Sequence, residues 1–175
     1  MERSEGNLNA SKKKTRMVLI LTGIYVIALL WIILFKMSIP SEIINLDHLR
    51  SINIIPFYYD EEISSHFSEV INNALVFIPL GLYLRMLKLD GKKTVICGFA
   101  VSLICEILQF ILGIGATDIT DLITNTMGTG IGAGVYAVLS LIFKDTEKLD
   151  KGLCFIALIC TGLFGGIVAL LVLGQ

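Results

Sequence analysis

Two aspartates three residues apart, Asp118 and Asp121, are followed by Asn125 in the stretch IGATDITDLITNTMGTGIGAG (114–134). A second acid–amide pair, Glu106 and Gln109, has the same spacing just upstream. On a helix, positions i, i+3 and i+7 share a face. Carboxylates gathered on facing helices can exchange protons as general acid and base. They can also hold a cation or, together with amides, accept hydrogen bonds from a donor-rich ligand. Other chemistries find no support. His48 and His66 lie in one polar loop, and His66 between Glu62 and Glu69 reads as a solvated face. No Ser-His or Cys-His arrangement is present. Cys97, Cys105, Cys154 and Cys160 fall in apolar runs at spacings that match no metal motif, so they read as small apolar packers. The four glycines at alternate positions (Gly128, Gly130, Gly132, Gly134) have no following Lys-Ser/Thr, which rules out a phosphate-cradling loop. No metal and no cofactor is implied.

The elements that must position these residues are membrane spans. The chain is 55% hydrophobic, above the 45–50% of soluble domains, with a mean hydropathy of +0.81. A net charge of −1 gives no bulk field for nucleic acid. Residues 1–16 read as a short disordered tail ending in KKKTR. Spans are expected at 17–35, 70–87, 94–112, 121–143 and 152–173, with a long loop at 36–69 and a charged turn at 144–151. The 19 residues of the first span rise about 28 Å, enough to cross. Pro79 should kink the second span. Residues 113–118 read as a tight hairpin. RSINIIPF (50–57) reads as a segment lying at the interface, with Pro56 interrupting any helix. The expected fold is therefore an all-α integral membrane protein, a five-span bundle. Lys and Arg divide 12 to 2 between the two sides, which puts the N-terminus inside and the long loop and C-terminus outside.

With that topology Asn73, Glu106, Gln109, Asp118, Asp121 and Asn125 all fall at one depth, in the outer leaflet. Asp118 also reads as an N-cap with Asp121 at N3, where acids suit the helix dipole. Asn73 and Asn125 also read as interhelical glue worth about 0.6 kcal/mol each. Glu106 resists such readings, because an acid at mid-helix costs about 2.5–3.5 kcal/mol and packing alone does not require one. Gly128/Gly132 and Gly130/Gly134 are small-xxx-small pairs that bring spans three, four or five together or join two copies of the chain. Three acids without a base in the spans cannot all stay charged unless a cation binds or an outside base folds in. Arg50 is the candidate base.

Taken in order, RSINIIPF, NNALVFIPLG (72–81), CEILQF (105–110) and ATDITDLITNTMG (116–128) resemble the VanZ-like family of membrane proteins. The resemblance covers most of the chain, 17–143. It implies roles for Asn53, Pro56, Phe57, Asn73, Phe77, Pro79, Gly81, Glu106, Gln109, Asp118, Asp121, Asn125 and Gly128. Many family members carry Arg shortly before the first aspartate, where this chain has Gly115; the departure makes Arg50 or a cation more necessary. IGATDITDLITNT is most similar to the branch found with glycopeptide-resistance clusters, associated with teicoplanin resistance in the bacterial cell membrane. Three functional classes follow. One is a binding protein whose outer-leaflet cluster holds a membrane lipid, a lipid-linked cell-wall precursor or the lipidated drug. The second is an intramembrane enzyme using Glu106 and Asp121 on a lipid-linked envelope substrate. A transporter ranks last, since polar residues occupy one leaflet and no inverted repeat is visible.

Overall fold

The computed structural model describes residues 2–35, 49–57 and 63–173. Among them are α1 (Glu2–Phe35), β1 (Leu49–Asn53), α2 (Ile63–Met86), α3 (Gly91–Leu112), β2 (Ile114–Asp118), α4 (Ile119–Ile142) and α5 (Thr146–Leu173). Each helix holds a stretch long and apolar enough to cross a membrane: Lys12–Leu34, Phe67–Met86, Gly91–Leu112, Ile119–Ile142 and Thr146–Leu170. This is a multi-pass membrane architecture. The helices overrun the expected spans, and α1 is already helical at Glu2, in the stretch read as a disordered tail. Aspartates set two of the earlier starts. Asp90 caps α3 by accepting from Lys93 N (2.8 Å), and Asp145 precedes α5 and accepts from the N–H groups of Glu147 and Lys148 (3.0 and 3.2 Å). Those backbone N–H groups hold both carboxyls below the usual range, the Lys93 amide leading at Asp90 and the Lys148 amide at Asp145.

Burial is arranged as a bilayer demands. Large apolar side chains such as Ile27, Ile111, Leu141 and Leu163 are exposed, while Thr94, Ser102, Thr120, Asn125 and Thr129 are fully buried. In lipid, apolar surface has no reason to hide, so helices associate through small and hydrogen-bonding residues. The buried face of α4 is built this way: Thr120, Thr124, Asn125, Gly128, Thr129, Gly132, Ala133 and Tyr136.

Glycines set the spacing of this face from α2. A Cβ on Gly128 would strike Ala74 O, one on Gly132 would strike Ile78 O, and one on Gly81 would strike Thr129 O. The seam therefore joins spans two and four, whereas the sequence pattern pointed to spans three, four or five. A Cβ on Gly130 would meet Val95 at an ordinary 3.7 Å, and one on Gly134 would meet nothing. Only one of the two small-xxx-small pairs is a close backbone contact. Phe77 and Leu80, beside the seam, are buried against Leu29 of α1. Tyr25 of α1 donates to Val76 O. Pro79 is accommodated inside α2.

The largest departure from the expected all-α fold is a small sheet. Residues 113–118 do not form a hairpin. Gly113 ends α3 in the left-handed conformation (φ 67°), its N–H returned to Gln109 O and Phe110 O. The chain then runs extended and pairs in parallel with β1, in the register Leu49↔Ile114 to Asn53↔Asp118. Parallel strands need a long crossover, which α2 and α3 supply. The segment read as interfacial is thus a strand laid beside the entrance to α4.

Candidate functional site

The site is assembled where β2 passes into α4. Asp118 is the last residue of β2 and the N-cap of α4; one carboxylate oxygen accepts from Thr120 N (2.7 Å). The other accepts from Asn53 Nδ2 (3.1 Å), its partner across the ladder. The cap and the strand pairing therefore converge on one carboxylate. Glu106, on α3, reaches across to accept from Asp118 N (2.9 Å), and its own backbone carbonyl accepts from Thr117 Oγ1 (3.2 Å). Asp121, three residues into α4, accepts from Asn73 Nδ2 of α2 at 2.7 Å. Asn125, one turn deeper, donates to Ser102 Oγ of α3 at 3.0 Å. Five elements, β1, β2, α2, α3 and α4, are thereby joined through amides, hydroxyls and carboxylates.

The turn after β1 closes over this cluster. Asn53 Oδ1 accepts from Ile55 N (3.1 Å), and Phe57 N donates to Thr120 Oγ1 (3.0 Å). Phe57 has φ 58°, a left-handed conformation that costs an L-residue about 1–2 kcal/mol. Such strain persists where surrounding bonds fix it, commonly at functional sites. Pro56 holds the preceding turn, outside any helix as expected.

Most of the expected site residues meet. Asn53 and Asp118 form one pair, Asn73 and Asp121 another, and Glu106 ties to Asp118. Gln109 departs: its Nε2 donates to Ile33 O of α1 (3.1 Å) rather than to the acids. Arg50 stands opposite Gly115 in the ladder, but its expected approach to the acids rests on a side chain outside the described residues. Gly81, Gly128 and Gly132 bring α2 and α4 into the contact that lets Asn73 reach Asp121. His48 also lies outside the described residues. Asn72 turns away, exposed, to Ser68 Oγ.

Hydroxyls are the residues that motif reasoning missed. Ser102, Thr117, Thr120 and Thr129 all take part. Their signal was available in spacing, since Ser102 precedes Glu106 by four and Thr129 follows Asn125 by four.

Not every acceptor is used. Glu106 Oε1, Gln109 Oε1 and Asn125 Oδ1 are buried without a hydrogen-bond partner. Their residues are 2%, 5% and 0% exposed, so water does not reach them by exposure. Buried polar groups are overwhelmingly paired, and an orphan costs about 1–3 kcal/mol. All three lie on the faces that α3 and α4 turn inward. Among the described residues no three His, Cys, Asp or Glu side chains converge as a metal-holding set. The three unmet oxygens can accept hydrogen-bond donors.

No solved structure matches the chain. It is 37% identical over 147 residues to Protein VanZ of Enterococcus faecium, covering 79% of this chain and 84% of that one. The VanZ/LLP1 family model matches residues 22–144, which take in the later part of the first span, the next three spans, both strands and every residue of the acid–amide cluster. The chain belongs to the VanZ/LLP1 family.

Proposed function

We propose that the chain is a glycopeptide-resistance protein of the bacterial cell membrane. In this reading the basic tail and turns lie inside, and the acid–amide cluster opens toward the outer leaflet. There it binds the donor-rich polar part of a lipid, of a lipid-linked cell-wall precursor or of the acylated drug itself. Support comes from family membership, from the 12 to 2 division of Lys and Arg, and above all from the three buried acceptor oxygens without partners. Those oxygens offset the cost of their burial only when donors arrive, and ammonium, amide and hydroxyl groups on a membrane-anchored molecule are such donors. Teicoplanin-type glycopeptides carry an acyl chain, so a site in the outer leaflet would meet them in the plane of the membrane.

The test is antibiotic susceptibility of cells carrying wild type, Glu106→Gln or Asp121→Asn at matched membrane levels, with teicoplanin and vancomycin in parallel. Both variants should return teicoplanin susceptibility to that of cells lacking the protein. Equal wild-type protection against vancomycin, which lacks the acyl chain, would count against recognition of the lipidated drug.

The contact of Glu106 with the Asp118 backbone also supports a second reading, in which Glu106 and Asp121 act as acid and base on a lipid-linked envelope substrate. Expression should then change the lipid or precursor composition, and Glu106→Gln should abolish the change. An unchanged composition with intact protection leaves the binding reading.

A further inference from the structure

The opposite end of the bundle holds a second feature, unrelated to the acid–amide cluster. A cavity of about 650 Å³ opens there between α1, α2, α4 and α5, and it is lined in part by Lys14, Arg85 and Lys88. Its acids are largely spoken for. Asp150 accepts from Lys14 Nζ (2.6 Å) and from Tyr136 Oη (2.9 Å), and is buried. Exposed Glu147 is the other acid on its wall. With Lys14 and Asp150 offsetting one another, Arg85 and Lys88 face Glu147 alone, and the cavity keeps a positive excess.

Arg85 is held in place. Its Nη1 donates to Leu89 O (2.7 Å), and its guanidinium lies 5.7 Å from the centre of the Tyr136 ring. Its Nε is buried without a partner. Lys88 adopts a left-handed conformation (φ 65°) that ends α2, with Lys88 N returned to Arg85 O and Leu89 N to Leu84 O. A scatter of bases at the inner end of a membrane protein is ordinary. An arginine on the wall of a cavity whose Nε–H is buried without an acceptor is not.

The cavity adjoins an apolar one. Met86 lines both, and beyond it about 400 Å³ extends between α1, α2 and α5, past Tyr83 and Pro79 on one side and Ala157, Cys160 and Phe164 on the other. From Leu153 to Phe164 the groove follows α5 for about 16 Å, close to half the roughly 30 Å hydrocarbon core. A charged chamber beside an apolar groove one leaflet deep suits one molecule class.

We propose that this paired cavity is a binding site for an anionic phospholipid. The phosphate accepts from Arg85 and Lys88, and one acyl chain lies along the groove of α1, α2 and α5. The site is independent of the reading given above for the acid–amide cluster.

The test is native mass spectrometry of the purified, delipidated full chain in neutral detergent, titrated with phosphatidylglycerol or phosphatidylcholine. Phosphatidylglycerol should be retained at least about tenfold more strongly, since a charge-assisted hydrogen bond is worth that much. Arg85→Gln should abolish the preference. Ala157→Trp, which fills the groove far from any base, should weaken phosphatidylglycerol binding while thermal unfolding in detergent shows the variant folded. Lys92→Gln, an exposed base off the cavity, should change nothing. Equal retention of the two lipids, or a preference that survives Arg85→Gln, would overturn the proposal. So would full competition by glycerol phosphate, which carries the head group without a chain.

Discussion

Asp150 and Glu106 are equally withdrawn from solvent, at 2% exposure each, yet their surroundings differ in kind. Asp150 has a lysine on one oxygen and a tyrosine hydroxyl on the other. Glu106 has a backbone N–H on one oxygen and nothing on the other. The first is a finished ion pair that fastens α1, α4 and α5 together. The second is an open account, held in position by capped, hydrogen-bonded and strand-paired neighbours. Burial of an acid therefore does not distinguish the two ends; the unmet acceptor does. If this contrast is real, substitutions at the two ends should separate stability from protection.

The largest effect should come from the seam on which both ends depend. Gly132→Val sets side-chain atoms against Ile78 O, a backbone atom that cannot yield without moving α2. Forced overpacking costs about 1–3 kcal/mol when neighbours can shift, and more when the obstacle is backbone. Little folded protein should be recovered from membranes, and protection should vanish with it. Gly134→Val, in open space, is the control and should behave as wild type. Equal recovery of the two variants would mean that the close approach is not needed to hold the ends in place.

Next in size is Asp150→Ala. Removing one member of a buried ion pair costs about 3–5 kcal/mol, because the other charge is left without a partner. Lys14, at 19% side-chain exposure, can regain some water, so the lower figure is expected. Thermal unfolding in detergent should report the loss, and teicoplanin protection per folded molecule should be retained. Glu106→Gln should do the reverse. An amide relieves the burial of a charge, so the unfolding temperature should hold or rise while protection is lost. Were Glu106→Gln to destabilise as Asp150→Ala does, Glu106 would be a structural acid and the contrast would fail.

The helices were legible because apolar runs of span length have one physical outcome in a bilayer. The convergence of Asn73, Glu106, Asp118 and Asp121 was legible too, because topology and helical spacing suffice to put them at one depth. The sheet was not. IGATD is short and bounded by a helix-ending glycine, and nothing in it encodes a partner at Leu49–Asn53, with two helices between. Gln109 shares a face with Glu106 by spacing, but the carbonyl it finds, Ile33 O, belongs to a helix whose placement spacing does not reveal. Asp150 read as a turn residue for the same reason: its partners come from residues 14 and 136, and only packing brings them together. Local pattern identifies groups that are costly to bury; tertiary contacts decide which of them are satisfied.

The smallest effect tests that distinction most directly. Asn125 donates to Ser102 Oγ and leaves its own oxygen unmet. As interhelical glue it is worth about 0.6 kcal/mol, at most about 1.7. Asn125→Ala and Ser102→Ala each remove that one bond, and both should lower the unfolding temperature, Ser102→Ala by leaving the Asn125 amide N–H without an acceptor and Asn125→Ala by opening a small cavity. They differ in what remains, because Ser102→Ala leaves the Asn125 oxygen in place and Asn125→Ala deletes it. If the unmet acceptors are the binding surface, teicoplanin protection should survive Ser102→Ala and fall in Asn125→Ala. Equal protection in the two would reduce Asn125 to glue and leave the site to Glu106 and its neighbours. The pair thus separates loss of the Asn125–Ser102 bond from loss of the Asn125 carboxamide, which the larger substitutions cannot do.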